Sequence, residues 1–555
     1  MRAVKEINPD EIFLDSSNLP NFNRDQFEGR IEKPIARRVA YLAGMFFLLI
    51  GIVFISRLWY LQVNKGEFFA GKSLDNSLRH TFVFSDRGVI YDRNNTLLAW
   101  NVEDADDRDF SMRRYATTTG FSNLIGYVKY PSKDSAGFYY RADYLGMDGV
   151  EKYFDDALKG ENGLMITETN VFGKIESQSV LNPPKPGNNL VLSIDSRIQS
   201  KLHDIISGLS HEVGFTGGAG AMMDVRTGEI IALVTYPEYD SQTFTDGADS
   251  VLIKKYLNDK SNPLLDRATS GLYTPGSIIK PFIALGALNE KIISPDKVIY
   301  TTGSLSIPNP YNPGQVTVFR DWKNHGPVDM RKAIEQSSDV YFYQVGGGFG
   351  DQLGMGIANI DKYAQLFGFG QEVGADFFGT NKGVVPTPEW KKLNFNGEPW
   401  RIGDTYHTVI GQYGFQVTPI QVVRAVAAIA NYGTLLQPTI LANDPSVLDN
   451  AIKIDLPKQY FDVVHEGMRR ASITGTAKAL NISSVEIAAK TGTAEIGVTK
   501  GYVNSWVDGF FPYKDPHYSF VILMEKGSEH NLIGASYVAR QLFDWMAEYT
   551  PEYLE

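Results

Sequence analysis

The chain has 555 residues, 43% hydrophobic and 21% charged, enough for two to four domains at about 150 residues each. Its formal net charge of -11 argues against a nucleic-acid binder, because phosphate recognition wants a basic face. There is no cysteine, which excludes disulfides, thiol chemistry and Cys-ligated zinc.

Residues 1–38 are polar, mixed in charge and unpatterned, and read as a short tail. Val39 to Ser56 carries no charge, and as a helix it would span roughly 27 Å, close to the hydrocarbon thickness of a bilayer. Apolar character resumes after Arg57, which can snorkel, and Trp59 and Tyr60 are interfacial residue types. The run is too long for a signal-peptide core and lacks an A-x-A-like exit, so it reads as an uncleaved single-pass anchor over 39–63. Lys33, Arg37 and Arg38 place the tail in the cytoplasm and everything beyond about residue 64 outside it.

After the anchor, "HTFVFSDRGVIYDRNNTLLAW" reads as two short strands around a turn at Asn94-Asn95. Residues 110–180 mix helical stretches such as "MDGVEKYFDDALKG" with Tyr-rich and Gly-rich loops. "LNPPKPGNN", 181–189, reads as a linker, since Pro and Gly continue neither helix nor sheet. Beyond it "LVLSI" reads as a strand and "SRIQSKLHDIISGL" as an amphipathic helix. "GAGAMMDVRTGEIIALVTYP" reads as a hairpin turning at Arg226-Thr227-Gly228. Helices follow, then three strands, "EIAAKTGTAEI", "SWVDGFFPY" and "YSFVILME", and a closing helix, "SYVARQLFDWMAEY". The fold class is α+β, with one antiparallel sheet covered by helices.

The chemistry concentrates in three short segments. In "LYTPGSIIKPF", Pro275-Gly276 ends a loop and Pro281 is tolerable only near a helix start, so Ser277 lies at a helix N-terminus. Lys280 sits one turn on, on the same face, among Ile278, Ile279, Phe282 and Ile283. Burial there disfavours the ammonium and favours a neutral amine that can take a proton from the Ser277 hydroxyl. An isolated S-x-x-K is commonly an ordinary turn, as in Ser294 to Lys297. "SSD", Ser337 to Asp339, has the form S-x-N/D, which Ser73 to Asp75 and Ser193 to Asp195 also match. Lys490-Thr491-Gly492-Thr493 lies on a predicted strand, and K-T-G occurs once in the chain. Gly492 is expected to let a ligand approach the strand backbone.

In the order S-x-x-K, S-x-N-like, K-T-G, with 60 residues from Ser277 to Ser337 and 153 from Ser337 to Lys490, these segments resemble the penicillin-recognising serine acyltransferases. "RGVIYDRNNTLLA" and "GMDGVEKYFDDALKGENG" are similar to the non-catalytic pedestal of class B penicillin-binding proteins, and "IGQYGFQVTPIQ" to their G-Q-x-x-x-x-T-P-x-Q motif. "RDWKNHG", "SSDVYFYQV" and "GDTYHTVIGQ" most resemble the elongation-type, penicillin-binding protein 2-like branch, whereas division-type members usually carry Asn at the position of Asp339. Two departures stand out. Asp266 replaces the Asn of the family's N-R-A, and only about thirty residues separate Asn95 from Gly126, where elongation-type relatives carry a larger head.

The resemblance implies a tail over 1–38, an anchor over 39–63, a small pedestal, or dimerisation-type, domain over 64–189 and a transpeptidase domain over 190–555. It also implies D,D-transpeptidation in cell-wall elongation. Ser277 attacks the penultimate D-alanine carbonyl of a peptidoglycan stem peptide, and Lys280 is the base. Ser337 relays protons to the leaving D-alanine, held by Asp339 and Lys490. The N–H groups of Ser277 and Thr493 form the oxyanion hole, and Lys490, Thr491 and Thr493 receive the terminal carboxylate. β-Lactams acylate the same serine. No cofactor is implied. Asp321 and His325 are ligand types, but without a Cys no metal is expected. With too few residues between anchor and linker for a glycosyltransferase, the partners implied are a membrane glycan polymerase and elongation-complex proteins. The rival readings are a division-type transpeptidase, a D,D-carboxypeptidase or β-lactamase, which would use water as acceptor, and a β-lactam sensor or inactive scaffold.

Overall fold

A computed structural model describes residues 36–103, 109–135, 137–169, 175–309, 312–374, 376–497 and 501–555. The chain divides into two compact units, residues 1–81 with 166–179, and residues 82–165 with 180–555. In the first, α1 (Arg37–Trp59) runs through a π-turn over Tyr60–Asn64, and α2 (Gly66–Ser77) follows. The span Arg37–Asn64 is long and apolar enough to cross a membrane. Of the expected tail, residues 1–35 lie outside the described residues.

The second unit opens on a small sheet of β1 (Ile90–Tyr91), β2 (Leu97–Val102) and β3 (Met112–Tyr115). Behind it Glu151 accepts from Arg87 Nε at 2.6 Å and Arg113 Nε at 2.8 Å, with all three side chains fully buried. Burial works against the Glu151 charge, but the two guanidiniums outweigh it and hold the carboxyl below its ordinary value. A buried carboxylate flanked by two arginines is costly to break, so this triad fixes how the two pedestal motifs meet.

The "LNPPKPGNN" segment is not a free linker. Gly187 N–H donates to Asp86 O and Asn188 N–H to Ala157 O, each at 2.9 Å. A Cβ on Gly88 would sit 1.9 Å from Asn188 O, so that contact requires glycine. The predicted strand "LVLSI" shortens to β4 (Leu190–Val191), which pairs in parallel with β1 rather than with the main sheet. Asp92 then accepts from Ser196 Oγ at 2.6 Å, and Asn94 Nδ2 donates to Asp195 Oδ2 at 3.0 Å, which ties this sheet to α3 (Ser196–Val213).

The main sheet is five-stranded and antiparallel throughout. Its strands are β5 (Gly217–Asp224), β6 (Ile230–Tyr236), β7 (Ala488–Ile496), β8 (Tyr502–Phe511) and β9 (Tyr518–Ser528), in the order β6-β5-β9-β8-β7. The hairpin β5–β6 turns where the sequence places it, with Asp224 accepting from the Arg226 and Thr227 N–H groups. Alternate residues face two separate cores. Ala489, Val507, Phe511 and Ile522 pack with α3 and with α9 (Ala535–Tyr549). Ala488, Trp506, Phe510 and Val521 face the larger core, which holds α4 (Lys280–Asn289), α5 (Met330–Gln336), α6 (Asp339–Gly347), α7 (Pro419–Ala430) and α8 (Lys458–Ile473). On α4 every residue from Lys280 to Leu288 is buried.

Candidate active site

Ser277 sits in a one-turn 3-10 helix, Gly276–Ile279, that feeds α4, with Pro281 in the first turn where its missing N–H costs nothing. This turn is clamped by its neighbours. Gly276 N–H donates to Gly411 O at 3.0 Å, Trp506 Nε1–H to Thr274 O at 3.0 Å, and Tyr273 exchanges backbone bonds with Val417. Gly411, φ 76°, belongs to the G-Q-x-x-x-x-T-P segment, and a Cβ there would meet Gly276 O at 2.2 Å. A Cβ on Gly276 would lie 3.3 Å from Thr493 O and 3.4 Å from Ala494 N, so the turn rides on the K-T-G strand β7.

Gly492 has a packing reason besides the expected one. Its missing Cβ would stand 2.8 Å from Pro275 O and 2.9 Å from Ile278 Cγ2. The space is filled by the turn that carries Ser277, so a glycine here lets that turn pack on the strand.

Ser337 caps the C-terminus of α5 in the left-handed region, φ 55°, which is uncommon outside glycine. Ser338 N-caps α6, and its hydroxyl donates to Asp321 Oδ2 at 2.9 Å. Asp321 also accepts from Val340 N–H at 3.0 Å and faces His325 Nε2 at 3.2 Å, both side chains buried. Thus "RDWKNHG" holds the S-S-D turn that aims Ser337.

The three segments meet at one hydroxyl. Lys490 Nζ donates to Ser337 Oγ at 2.8 Å and Lys280 Nζ to the same oxygen at 3.2 Å. Lys280 also donates to Ser337 O at 2.8 Å and to Asp339 Oδ1 at 2.5 Å, so its amine is turned to Ser337 and Asp339. Lys490 is wholly buried. Burial, then the neighbouring Lys280 charge, push it well below the ordinary lysine range, against the opposing pull of Asp508 and Asp339. Thr491 Oγ1 donates to Thr476 Oγ1 at 2.7 Å, and Thr493 is exposed. Ser277, Lys280, Ser337, Asp339 and Lys490 therefore gather around the junction of α4, α6 and β7. An arrangement of a serine at a helix start, two lysines and a second hydroxyl suits acyl transfer with proton relay.

Two of the decoys resolve as a turn and a cap. Ser294 to Lys297 closes a turn, and Asp195 N-caps α3. Asp266, the departure from N-R-A, receives four donors: Thr235 Oγ1 at 2.8 Å, Ala268 N–H at 3.0 Å, Thr269 N–H at 3.3 Å and Thr269 Oγ1 at 2.7 Å. A carboxylate, which only accepts, satisfies all of them. The sequence reading gave no role in the site to Trp506 or Asp508. For Asp508 a signal existed, a lone charge in the apolar strand "SWVDGFF".

Comparison with known proteins follows the same lines. Residues 218–544 match the penicillin binding protein transpeptidase domain, and residues 108–192 the penicillin-binding protein dimerisation domain. The peptidoglycan D,D-transpeptidase MrdA of Haemophilus influenzae is 30% identical over 478 residues, 79% of this chain and 70% of that protein. The PBP2 crystal structure from Pseudomonas aeruginosa superposes with a TM-score of 0.71 at 28% identity, over 86% of this chain and all of that one. PBP2 from Helicobacter pylori, in its complex with MreC, gives 0.69 at 26% identity, over 85% of this chain and 99% of that one.

Proposed function

We propose, from the premise that this chain belongs to the penicillin-binding protein transpeptidase family, that Ser277 is its nucleophile and Lys280 its base. The protein is a peptidoglycan D,D-transpeptidase of the elongation type. What supports the residue roles is the convergence of Lys490 and of Lys280, itself one turn along the chain from Ser277, on Ser337 Oγ.

The stem peptide's terminal carboxylate lies along Lys490, Thr491 and Thr493. Ser277 Oγ gives its proton to the Lys280 amine and attacks the penultimate D-alanine carbonyl, whose oxyanion is met by the Ser277 and Thr493 N–H groups. Lys280 swings from Ser337 toward Ser277 for this step; catalytic hydrogen bonds commonly tighten only once substrate is bound. As the tetrahedral species collapses, Ser337 passes a proton to the departing D-alanine and is resupplied by the lysines that donate to it. Asp339 holds the Lys280 amine between the two serines. An amine from a neighbouring strand then attacks the acyl-enzyme, and the same relay runs backwards. A β-lactam enters by the first step and lacks the second, because its leaving group stays tethered.

In this reading residues 1–38 form a cytoplasmic tail, 39–63 the anchor, 64–189 the pedestal and 190–555 the transpeptidase domain, outside the cytoplasmic membrane. A separate membrane glycan polymerase supplies the strands, and elongation-complex proteins are partners of this chain. The test is reconstitution of the full chain with a glycan polymerase and lipid-linked precursor. Penicillin-sensitive cross-linked dimers are expected. Release of D-alanine without dimers would favour the carboxypeptidase alternative and contradict the proposal.

A further inference from the structure

The main sheet carries an ionisable group that the mechanism leaves unused. Asp508 on β8 stands directly opposite Lys490 on β7, and on its other side opposite Val521 on β9, which in turn faces Ala221 on β5. Cross-strand partners point to the same side of a sheet with Cβ atoms about 5 Å apart, so Lys490 and Asp508 share the face covered by the helical core. Asp508 is wholly buried, and both its carboxylate oxygens lack a hydrogen-bond partner among the described residues. Only the backbone N–H groups of Asp508 and Lys490 turn toward them, outside hydrogen-bond geometry. A carboxylate buried without donors is expensive unless a charge lies near it. Lys490 is the cation in register with it.

The charged groups on the helices packed against this face have partners of their own. Lys280 on α4 pairs with Asp339 at the start of α6. Arg424 on α7 donates to Leu436 O. His465 on α8 lies against Phe510, with Nε2 at Ile429 O, and Arg469 of the same helix reaches Ile487 O.

We propose that Asp508 is a positioning residue for transpeptidation: from the adjacent strand it acts through Lys490, keeping that side chain an ammonium so that it donates to Ser337 and meets the substrate carboxylate. Two influences oppose an ammonium at position 490, burial and the Lys280 charge, and Asp508 counters both from the neighbouring strand on the same buried face. The carboxyl shows the reciprocal strain, pushed well up by burial and pulled down by Lys490. The inference rests on the roles given above to Ser277 and Lys490.

The test compares Asp508→Asn and Asp508→Val with the unaltered full chain. Acylation by a fluorescent penicillin is followed from pH 6 to 10, with the adduct mapped by peptide mass. Asn keeps the shape, and Val matches the apolar neighbours, so both should melt no lower than the unaltered protein. The alkaline limb of the acylation profile should move to lower pH by about one to two units in both, a loss of about tenfold or more at pH 9, with little change near pH 6. An alkaline limb that stays in place in both variants, or a large drop in melting temperature in both, makes Asp508 a structural group and overturns the inference. An adduct mapped away from Ser277 would instead overturn the site reading itself, so the two failures are distinguishable.

Discussion

Removal of Asp339 is the perturbation whose size the geometry sets most directly. Lys280 Nζ has three acceptors, Asp339 Oδ1 at 2.5 Å, Ser337 O at 2.8 Å and Ser337 Oγ at 3.2 Å, and the lysine side chain has no solvent exposure. Asp339→Ala leaves the buried Lys280 amine with two neutral acceptors, Ser337 O and Ser337 Oγ. Deleting one partner of a buried pair costs about 3–5 kcal/mol. Here the Asp339 side chain is 20% exposed, so water can enter in its place and the lower end applies, about 3 kcal/mol. Part of that loss falls on stability and part on the heading of the amine that serves Ser277. If most is felt in the transition state, acylation slows by about a hundredfold. Asp339→Asn keeps an acceptor at the same reach and should stay within about tenfold of the unaltered protein. The assay is the second-order rate of acylation by a fluorescent penicillin, with melting temperature measured in parallel. If Asn is as slow as Ala, the carboxylate charge itself is required. If Ala is as fast as Asn, the pair does not hold the amine, and its role here is refuted.

Gly492→Ala should cost about 1–3 kcal/mol in stability and about a hundredfold in acylation rate, because its methyl group meets the backbone of the Ser277 turn at 2.8 Å. Gly501→Ala in the following hairpin, where a Cβ has nothing within 4 Å, is the control expected to do neither. The His465 imidazole is pushed by burial from 6.5 to about 4. The unfolded chain therefore binds a proton that the folded one refuses between those values, so stability is full above pH 6.5 and is lost as pH falls through about 4, by roughly 3 kcal/mol. His465→Gln, which keeps a donor toward Ile429 O, should flatten the melting-temperature profile over that window; an unchanged slope would assign the acid sensitivity to other groups.

Much of the site was legible because its chemistry is local. Ser277 and Lys280 share one helical turn, and Pro281 dates the helix start, so their proximity follows from spacing alone. That Ser337 and Lys490 meet is invisible to periodicity; only the joint order of the three motifs pointed to it. The main sheet was legible where strands are long and apolar, as in β8 and β9. The strand read over Leu190 to Ile194 is shorter than expected, because an apolar run states burial and not pairing; only Leu190 and Val191 are strand, paired with Ile90 and Tyr91. Gly492 was legible only in part. A glycine in a strand marks a close approach but does not say of what, and here the visitor is Pro275 O. Asp321 is the reverse case, a residue type suited to ligation that is spent on the Ser338 hydroxyl and the first turn of α6.

The central claim, that Ser277 is the nucleophile of a penicillin-sensitive transpeptidase, is tested most directly by peptide mass mapping after exposure of the full chain to a β-lactam. One adduct is expected, on the peptide that contains Ser277, and Ser277→Ala should show none while melting at the same temperature. An adduct on another residue, or one that persists in Ser277→Ala, would contradict it.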